Sequence, residues 1–445
     1  MLNYVWLGLI LGAVLIGGFN GLLKETTDEA LSMAKFAVMN LALPLAGTMT
    51  LWLGMMRLAE KSGMVQVLAR GLRPLLTRLF PDVPADHPAM GSMVLNIAAN
   101  MLGLSNAATP LGLRAMKDLE SLNRRPGTAT NAMCTFLAIN TSSVQLIPMT
   151  AIGVLVAANS KAPTSIVGTA FLSTLCAATC AIIAVKVLEK LAWFGSASAE
   201  ASPAGASVGP STTASEPVAA APKSEPLRWW GFLILSVYFV FLGWCFLTLA
   251  FPEVLARPVA AEIQNDNGLI RSVKALSLLS IPALLSFFPL YATLRRIKVY
   301  EEFVEGAKEG FPVIMRIIPY LVTILVAIGM FRGAGGIALL TKVLTPAMNW
   351  FNFPPELLPM ALIRPLSGSG SLAVFTDLVK NFGPDHLLSR MAGTIYGSTE
   401  TTFYVLAVYF GSVNIKRTRH AVPAGLVADL VGVIASVVVC RLIFR

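Results

Sequence analysis

The chain has 445 residues, of which 55% are apolar and only 13% are Asp, Glu, Lys or Arg, with a net charge of +10. Soluble globular proteins carry about 25% charged residues, so this composition excludes a soluble domain and a disordered chain. It also argues against nucleic-acid binding, because the basic residues stand in short clusters between apolar runs, as in cytoplasmic loops of membrane proteins. We therefore predict an all-α, polytopic protein that is embedded in the lipid bilayer of the inner membrane.

Apolar runs with few or no charges follow one another along the chain, and a helix of about 20 apolar residues spans a bilayer. The runs are Leu2–Leu23, Phe36–Met56, Pro88–Leu113, Pro126–Ser160, Ala162–Val185, Trp229–Pro252, Ala275–Leu294, Ile317–Phe331, Met391–Ile415 and Ala421–Cys440. The first run has no basic region before it and exceeds the apolar part of a signal peptide, which predicts an uncleaved span.

Residues 195–227 are rich in Ala, Ser and Pro and contain hardly any large apolar side chain. Such a stretch cannot bury a core and predicts a flexible linker. It separates two membrane halves, residues 1–194 and 228–445. A surface loop is the alternative interpretation, but the length and bias of the stretch favour a joint between two fused units.

The two halves share motifs in the same order. Residues 43–57 begin with Leu-Pro and end with Gly-Met-Met-Arg, whereas residues 318–332 begin with Ile-Pro and end with Gly-Met-Phe-Arg. Further matches join Asn100, Gly103 and Thr109 to Ser367, Gly370 and Thr376, and residues 135–143 to 394–402. Because these three matches follow one another in the same order in both halves, they predict an internal repeat. The two copies cover residues 28–160 and 301–415.

Each half contains a segment that is interrupted by glycine or proline and too polar to face lipid, residues 96–110 and residues 364–371. In transporters such paired breaks point to the substrate site. Basic clusters flank residues 88–113 on both sides, and both can lie in the cytoplasm only if this run is a re-entrant hairpin.

A matching hairpin is expected around residues 357–378. The chain then has about nine transmembrane helices plus two re-entrant hairpins, with the N-terminus inside and the C-terminus outside. An odd number of spans between the starts of the two copies makes the repeat inverted, as in many secondary transporters.

Glu400 is the strongest single candidate, because it is an ionisable side chain inside an apolar run. Carboxylates are costly at membrane depth and are functional there as proton carriers, cation ligands or acceptors for an ammonium group. A buried ion pair with Arg364 is the alternative. Arg364 itself can clamp a carboxylate through two parallel hydrogen bonds, or it can snorkel to the membrane interface.

Uncharged polar residues near the breaks complete the predicted substrate site. Its members are Asn100, Ser105, Asn106, Asn140, Thr141, Ser142, Arg364, Ser367, Ser369, Ser398, Thr399, Glu400 and Thr401. Glu400 and Asp377 are the predicted ion-coupling residues, and Asn96 and Asp429 are further candidates. For any one uncharged residue, interhelical hydrogen bonding is the more common role, but clusters that match in both halves favour a site.

Motifs for catalysis or for cofactors are missing from the sequence. It contains no GxxxxGK[ST] phosphate-binding loop, no HExxH and no Cys/His metal spacing. His87, His386 and His420 flank the apolar runs and look like loop residues. We therefore predict a protein that is not an enzyme and that has neither a cofactor nor a metal; an intramembrane enzyme would need a histidine or paired carboxylates at depth.

The motifs resemble those of a known family. The first half is similar to spore maturation protein A in NIAANMLGLSNAATPLGLRAM and TNAMCTFLAINTSSVQLIP, and the second half to spore maturation protein B in RPLSGSGSLAVFTDL, GSTETTFYVLAVYFGSV and KRTRHAVPAGLVADL. The resemblance implies a fused form of two proteins that are usually separate, each with a gate or nucleoside-recognition domain. Glu400 departs from the family pattern, in which aspartate is common, but it keeps the carboxylate.

The gate domain also occurs in concentrative nucleoside transporters and in a bacterial ferrous iron transporter, so the resemblance implies transport or gating in the bacterial inner membrane. Genes of the family often lie beside a D-alanyl-D-alanine carboxypeptidase gene, which implies a cell-wall-derived solute such as D-alanine. A zwitterion would place its ammonium at Glu400 and its carboxylate at Arg364 or at a half-helix N-terminus. We predict a secondary transporter of a small polar solute that is coupled to H⁺ or Na⁺. A homodimer is among the assemblies that we consider for it.

Two alternatives stay open. A nucleoside-type carrier should offer aromatic stacking, for which the candidate segments contain only Tyr396, Phe403 and Tyr404. A non-transporting membrane scaffold for cell-wall or spore-maturation enzymes would not need matched polar breaks, and it would keep its function without Glu400.

Overall fold

The computed structural model describes residues 2–103, 105–191, 226–255, 266–336, 338–339, 342 and 352–444. All but the last two residues of the predicted linker, 195–227, lie outside the described residues. The described chain is helical, and an isolated β-bridge joins Thr128 to Arg417.

The first half contains helices α1 to α9. They are α1 (Leu2–Asn20), α2 (Leu23–Phe36), α3 (Leu43–Lys61), α4 (Met64–Leu79), α5 (Pro88–Met101), α6 (Ser105–Glu120), α7 (Asn131–Ser142), α8 (Met149–Ala157) and α9 (Ile166–Leu188). A π-helical turn, Ala37–Ala42, makes α2 and α3 one continuous helix. Gly21, with a φ of +70°, ends α1 and separates it from α2.

The second half contains helices α10 to α18. They are α10 (Trp229–Ala250), α11 (Gly268–Leu294), α12 (Val299–Ala307), α13 (Gly310–Gly333), α14 (Leu358–Ile363), α15 (Gly368–Phe382), α16 (Leu387–Ser398), α17 (Thr402–Gly411) and α18 (Ala421–Ile443). Short 3₁₀ turns precede α9 and α14 and follow α10.

Six helices in the described part of the chain are long and apolar enough to cross a membrane: Leu23–Lys61, Pro163–Glu189, Trp229–Ala250, Gly268–Leu294, Val299–Gly333 and Ala421–Ile443. The prediction of a multi-pass, all-helical protein is therefore confirmed. The predicted run 126–160 is divided into α7 and α8, and the run 391–415 into α16 and α17, so neither forms one long helix. The count of nine spans stays a prediction.

The two halves make the same helix contacts with their roles exchanged. Helix α2 packs on α13, and in return α12 packs on α3. The same exchange relates the contact of α7 with α18 to that of α16 with α9, and the contact of α6 with α17 to that of α15 with α8. This exchange is what a two-fold axis between two copies of one unit produces.

Corresponding helices run antiparallel. A β-carbon added at Gly329 of α13 would lie 3.3 Å from the Glu29 carbonyl oxygen of α2, and one added four residues later, at Gly333, would lie 2.8 Å from the Glu25 carbonyl oxygen. Contacts therefore ascend along one helix as they descend along the other. Glycine permits this close approach of backbones, as small residues commonly do between membrane helices.

Helices α9 and α18 repeat this arrangement. A β-carbon added at Gly432 of α18 would lie 3.6 Å from the Cβ of Ala177 of α9. Eight residues later in α18, the Cys440 thiol donates a hydrogen bond to Thr394 and lies close to Thr169, which is eight residues earlier in α9 than Ala177. The pairing is again antiparallel.

Candidate functional site at the junction of two broken helices

Two broken helices, α7/α8 and α16/α17, meet at their breaks. Residues 143–148 separate the first pair, where Ser143 has a φ of +32°, and residues 399–401 separate the second. The Glu400 N–H donates a 2.7 Å hydrogen bond to the Thr141 carbonyl oxygen, which joins the two breaks. We call the two breaks together the junction. Irregular backbone at membrane depth is tolerated only against protein or a water-filled cavity, so the junction is the candidate site.

The tips of the two helical hairpins, α5/α6 and α14/α15, each bond to the break of their own repeat. The Leu146 N–H donates to the Met101 carbonyl oxygen at 3.1 Å, and the Phe403 N–H donates to the Pro365 carbonyl oxygen at 3.1 Å. Segments 96–110 and 364–371, chosen from the sequence as paired breaks, therefore reach the junction from both repeats.

Glu400 lies at the junction and is half-buried. Its carboxylate accepts a hydrogen bond from Gln145 Nε2 at 3.3 Å. Gln145 also lines a cavity of about 270 Å³, which we call the first cavity. Other residues in its wall are Trp52, Arg57, Gly103, Met149 and Glu309. The carboxylate is thus linked by one amide to a space large enough for a small solute.

Arg364 is buried, with 3% of its surface exposed. Its guanidinium donates to the carbonyl oxygens of Tyr396 and Thr399 and, at 3.3 Å, to Thr401 Oγ1. These carbonyls belong to the last turn of α16 and to its break, where a helix leaves its carbonyl groups unpaired. In the described part of the chain no ion pair joins Arg364 to Glu400. Arg364 therefore stabilises the end of a half-helix.

A buried chain of amides and a phenol connects the first hairpin to α7 and α17. Asn100 Nδ2 donates to Asn140 Oδ1 at 2.8 Å, and the Tyr409 hydroxyl lies 3.4 Å from the same oxygen. Asn96 Nδ2 donates to the Tyr409 hydroxyl at 3.2 Å and to the Ala108 carbonyl at 2.7 Å. Asn96, Asn100 and Asn140 are thus brought together in a network that ties the first hairpin to α7 and α17.

The remaining hydroxyl residues of the predicted site are placed as follows. Thr141 and Thr399 lie at the junction, and the hydroxyl of Thr401 accepts a hydrogen bond from Arg364. The hydroxyls of Ser142 and Ser398 donate to carbonyl oxygens of their own helices, at 3.0 Å each. Ser367 caps α15 by accepting from the Gly370 N–H at 3.0 Å, and it lies beside Ser369. Ser105 and Asn106 begin α6, and their side chains lie outside the described residues.

Asp377 is not at the junction. It forms an ion pair with Arg332, which also binds Glu29 at 2.8 Å, and Asn381 donates to it at 3.0 Å. Asp377, Arg332 and Asn381 line a second cavity of about 220 Å³, together with Phe331, Ile363 and Phe382. Arg332 corresponds in the repeat to Arg57 of the first cavity, which pairs with Glu302 at 3.0 Å. Each cavity thus has in its wall the arginine that ends the repeated Leu/Ile-Pro to Gly-Met-X-Arg stretch.

The histidines lie at helix starts. The Nδ1 atoms of His87 and His386 accept from the backbone N–H of Ala89 and Leu388 at 3.2 Å each and so cap α5 and α16. His420 precedes α18 and is fully buried, and this burial, together with the Arg419 and Lys186 charges, lowers its pKa to about 4. Among the described residues no three His, Cys, Asp or Glu side chains form a metal-binding group.

Sequence reasoning missed Gln145 and Tyr409. Both stand in motifs that were used for the repeat or the resemblance, but each was read as part of an apolar run. An amide and a phenol inside such runs are signals in themselves, since buried polar groups need partners. Tyr409 finds its partners in Asn96 and Asn140 and stacks on Phe136 at 5.9 Å.

Comparison with known proteins identifies the family. The sequence profile of the Gate family, described as nucleoside recognition, matches residues 42–159 and 314–416. Spore maturation protein B of Bacillus subtilis is 47% identical over 169 residues, which are 38% of this chain and 95% of that protein. Spore maturation protein A of the same organism is 43% identical over 183 residues, which are 41% of this chain and 93% of that protein. No solved structure matches significantly.

The two relatives match different parts of the chain, spore maturation protein A the N-terminal half and spore maturation protein B the other half. This agrees with the expectation of a fused form. The chain is therefore a multi-pass membrane protein of the Gate family that joins units similar to spore maturation proteins A and B in one polypeptide.

Proposed function

We propose that this protein is a secondary transporter of the bacterial inner membrane that carries a small zwitterionic solute, D-alanine. The observation that carries the proposal is the position of Glu400, a carboxylate at the crossing of two broken helices, linked through Gln145 to the first cavity. A carboxylate in this setting suits an ammonium group. At a separation of about 4 Å and an effective dielectric constant of about 20, the pair gains about 4 kcal/mol.

The carboxylate of the solute is assigned to the N-terminus of α8. Met149 and Thr150, the first residues of α8, line the first cavity together with Gln145. The N-terminus of a helix carries a partial positive charge and presents free N–H groups to an anion. Arg364, the other candidate from the sequence, already donates to three acceptors of its own chain, so we give it a structural role.

Alternating access is proposed to use the two repeats. Antiparallel pairing of equivalent helices supports an inverted arrangement, with about nine spans and two re-entrant hairpins, and the two cavities would serve opposite faces of the membrane. A reporter fused after Arg445 should then lie outside the cytoplasm. A cytoplasmic reporter at this position would contradict the topology.

Transport is proposed to be coupled to H⁺ or Na⁺. Glu400 is the coupling candidate at the junction, and Asp377 is a candidate at the second cavity, where its pair with Arg332 would have to open. An ionisable residue inside the membrane commonly carries such a role.

The experiment is uptake of labelled D-alanine by liposomes that contain the purified full-length protein. We expect saturable uptake, and at least a 100-fold loss in Glu400→Gln, since glutamine keeps the contact with Gln145 but removes the charge that binds the ammonium. Glu189→Gln is the matched control, because Glu189 pairs with Lys186 at the end of α9 and should leave uptake unchanged. Absence of uptake by the wild-type protein, or unchanged uptake by Glu400→Gln, would refute the proposal.

A nucleoside is the second candidate solute, because the indole of Trp52 lines the first cavity and offers a surface for base stacking. In this case unlabelled nucleosides should compete in the same liposomes and D-alanine should not. A scaffold without transport would show neither uptake nor competition.

A further inference from the structure

One face of α18 points at the junction. Gly425, Asp429 and Gly432 are spaced by four and three residues, which places them on the same side of a helix. A β-carbon added at Gly425 would lie 3.6 Å from Thr141 Cγ2, and one added at Gly432 would lie 2.5 Å from Thr399 Cγ2. Asp429 therefore lies between the two breaks, about 12 Å along α18 from its start at a rise of 1.5 Å per residue.

The Asp429 carboxylate is buried and only half-partnered. Its residue exposes 3% of its surface, and Thr402 Oγ1 donates to one oxygen, Oδ2, at 2.6 Å. The other oxygen, Oδ1, has no hydrogen-bond partner among the described residues. A buried carboxylate in this state is costly unless a cation or a proton neutralises it.

Two threonines that contact the same face of α18, at Gly425 and at Gly432, also have hydroxyls without a partner. Thr141 Oγ1 and Thr399 Oγ1 are buried, and neither has a hydrogen-bond partner in the described part of the chain. Hydroxyl oxygens of this kind are ligands for hard cations. The nearest charged side chains that act on Asp429 are Arg364 and Glu400, and the guanidinium of Arg364 is directed to its three acceptors.

We propose that Asp429 is the centre of a monovalent-cation site and that the cation is Na⁺. Its ligands would be Asp429 Oδ1 and the hydroxyls of Thr141, Thr399 and Thr402. One carboxylate balances one positive charge, whereas Mg²⁺ or Ca²⁺ would require more charge or more carboxylate ligands than these four residues offer. The role as coupling ion rests on the proposed transport function, and the site itself does not.

The position explains how ion and solute would be coupled. Thr141 lies near the end of α7, Thr399 lies in the break that holds Glu400, and Thr402 begins α17. A bound cation would therefore hold the two broken helices and α18 together. Transporters with broken helices commonly bind Na⁺ at such unwound segments. Neither ion-coupling candidate taken from the sequence lies at this position.

The test is equilibrium binding of ²²Na⁺ to the purified full-length protein in detergent, in a choline buffer, without any solute. We expect saturable binding that unlabelled Na⁺ displaces and choline does not. Asp429→Asn should weaken it at least 10-fold while the protein stays folded, because asparagine keeps an oxygen to accept from Thr402. Asp385→Asn, which neutralises an aspartate in the loop before α16, is the matched control and should bind like the wild type.

Should Asp429→Asn fail to fold, Thr399→Val provides the test, because valine keeps the shape and removes only the hydroxyl that has no partner. It should weaken Na⁺ binding as well. Absence of Na⁺ binding by the wild type, or equal binding by wild type and by the folded variant, would overturn the proposal. Na⁺ binding without D-alanine uptake would refute the proposed solute and leave the cation site standing.

Discussion

Replacement of Arg364 by methionine should destabilise the fold of the second repeat. Methionine keeps much of the length of the side chain but donates no hydrogen bond. The carbonyl oxygens of Tyr396 and Thr399 would then lose their donor at the end of α16. We expect the break to shift and Glu400 to move with it.

The magnitude follows from the bonds of the guanidinium. Hydrogen bonds to a charged group contribute about 1.5–3 kcal/mol each, so the two carbonyl bonds amount to about 3–6 kcal/mol. The guanidinium also lies 5.0 Å from the centre of the Tyr396 ring, a contact that contributes about 0.5–2 kcal/mol. The cost of burying the charge offsets part of both, and we expect a net loss of about 3 kcal/mol. Arg364→Lys should lose about half of this, because an ammonium group cannot reach the acceptors with a planar fork.

The assay is equilibrium unfolding in mixed detergent micelles, with the free energy of unfolding compared among wild type, both variants and Arg441→Met. Arg441 lies in the last turn of α18, and its replacement should change the free energy by no more than about 0.5 kcal/mol. If Arg364→Met unfolds like Arg441→Met and loses only the binding of D-alanine, then Arg364 binds the solute and the reasoning from its carbonyl contacts is wrong.

Three further predictions concern single positions. Tyr409→Phe should lower the free energy of unfolding by about 1–2 kcal/mol, the worth of two hydrogen bonds; an unchanged value would show that the asparagine network is held without the hydroxyl. Burial by itself raises the pKa of the Asp385 carboxyl, but the Lys161 N–H, Ser160 and Arg390 outweigh it and hold the pKa below its usual range. Its stabilisation is therefore present at neutral pH and lost as the pH falls through this depressed pKa, so melting temperatures of wild type and Asp385→Asn should differ at pH 7 and converge in acid. Gly306→Ala should lower the free energy of unfolding by about 1–3 kcal/mol through overpacking, since its β-carbon would lie 2.7 Å from the Leu53 carbonyl oxygen. Gly243→Ala is the control and should not lower it, because the space around Gly243 is open. Equal stabilities of the two variants would contradict the close packing of α12 on α3.

Periodic and compositional features could be predicted well from the sequence. The multi-pass character, the repeat and the two polar hairpin tips follow from local runs of residues, and the structure contains α5/α6 and α14/α15 at these places. The positions of the breaks in α7/α8 and α16/α17 were harder to predict. Residues 399–401 contain no glycine or proline, and the helix stops there because Arg364 and Thr141 offer the backbone other partners.

The partners of charged residues could not be predicted at all. Arg364 is buried and Glu400 is half-buried. The sequence permits an ion pair between these two charged side chains, and it equally permits separate roles. Folding gives the arginine to the carbonyls of α16 and the carboxylate to Gln145. The sequence makes Asp377 a second ion-coupling candidate beside Glu400, and the structure pairs it with Arg332 at the second cavity.

The sequence by itself determined that this protein lies in a membrane, that it is built from two related units and that it belongs with the spore maturation proteins, because hydropathy, repetition and motif identity are properties of the linear chain. Only the tertiary structure decided which polar groups meet at the junction. Asn96, Tyr409 and the Thr141 carbonyl find partners in the other repeat, and such pairings depend on the two-fold packing of antiparallel helices rather than on spacing along the chain. The unpartnered oxygen of Asp429, on the face of α18 that contacts Thr141 and Thr399, is visible only in that packing.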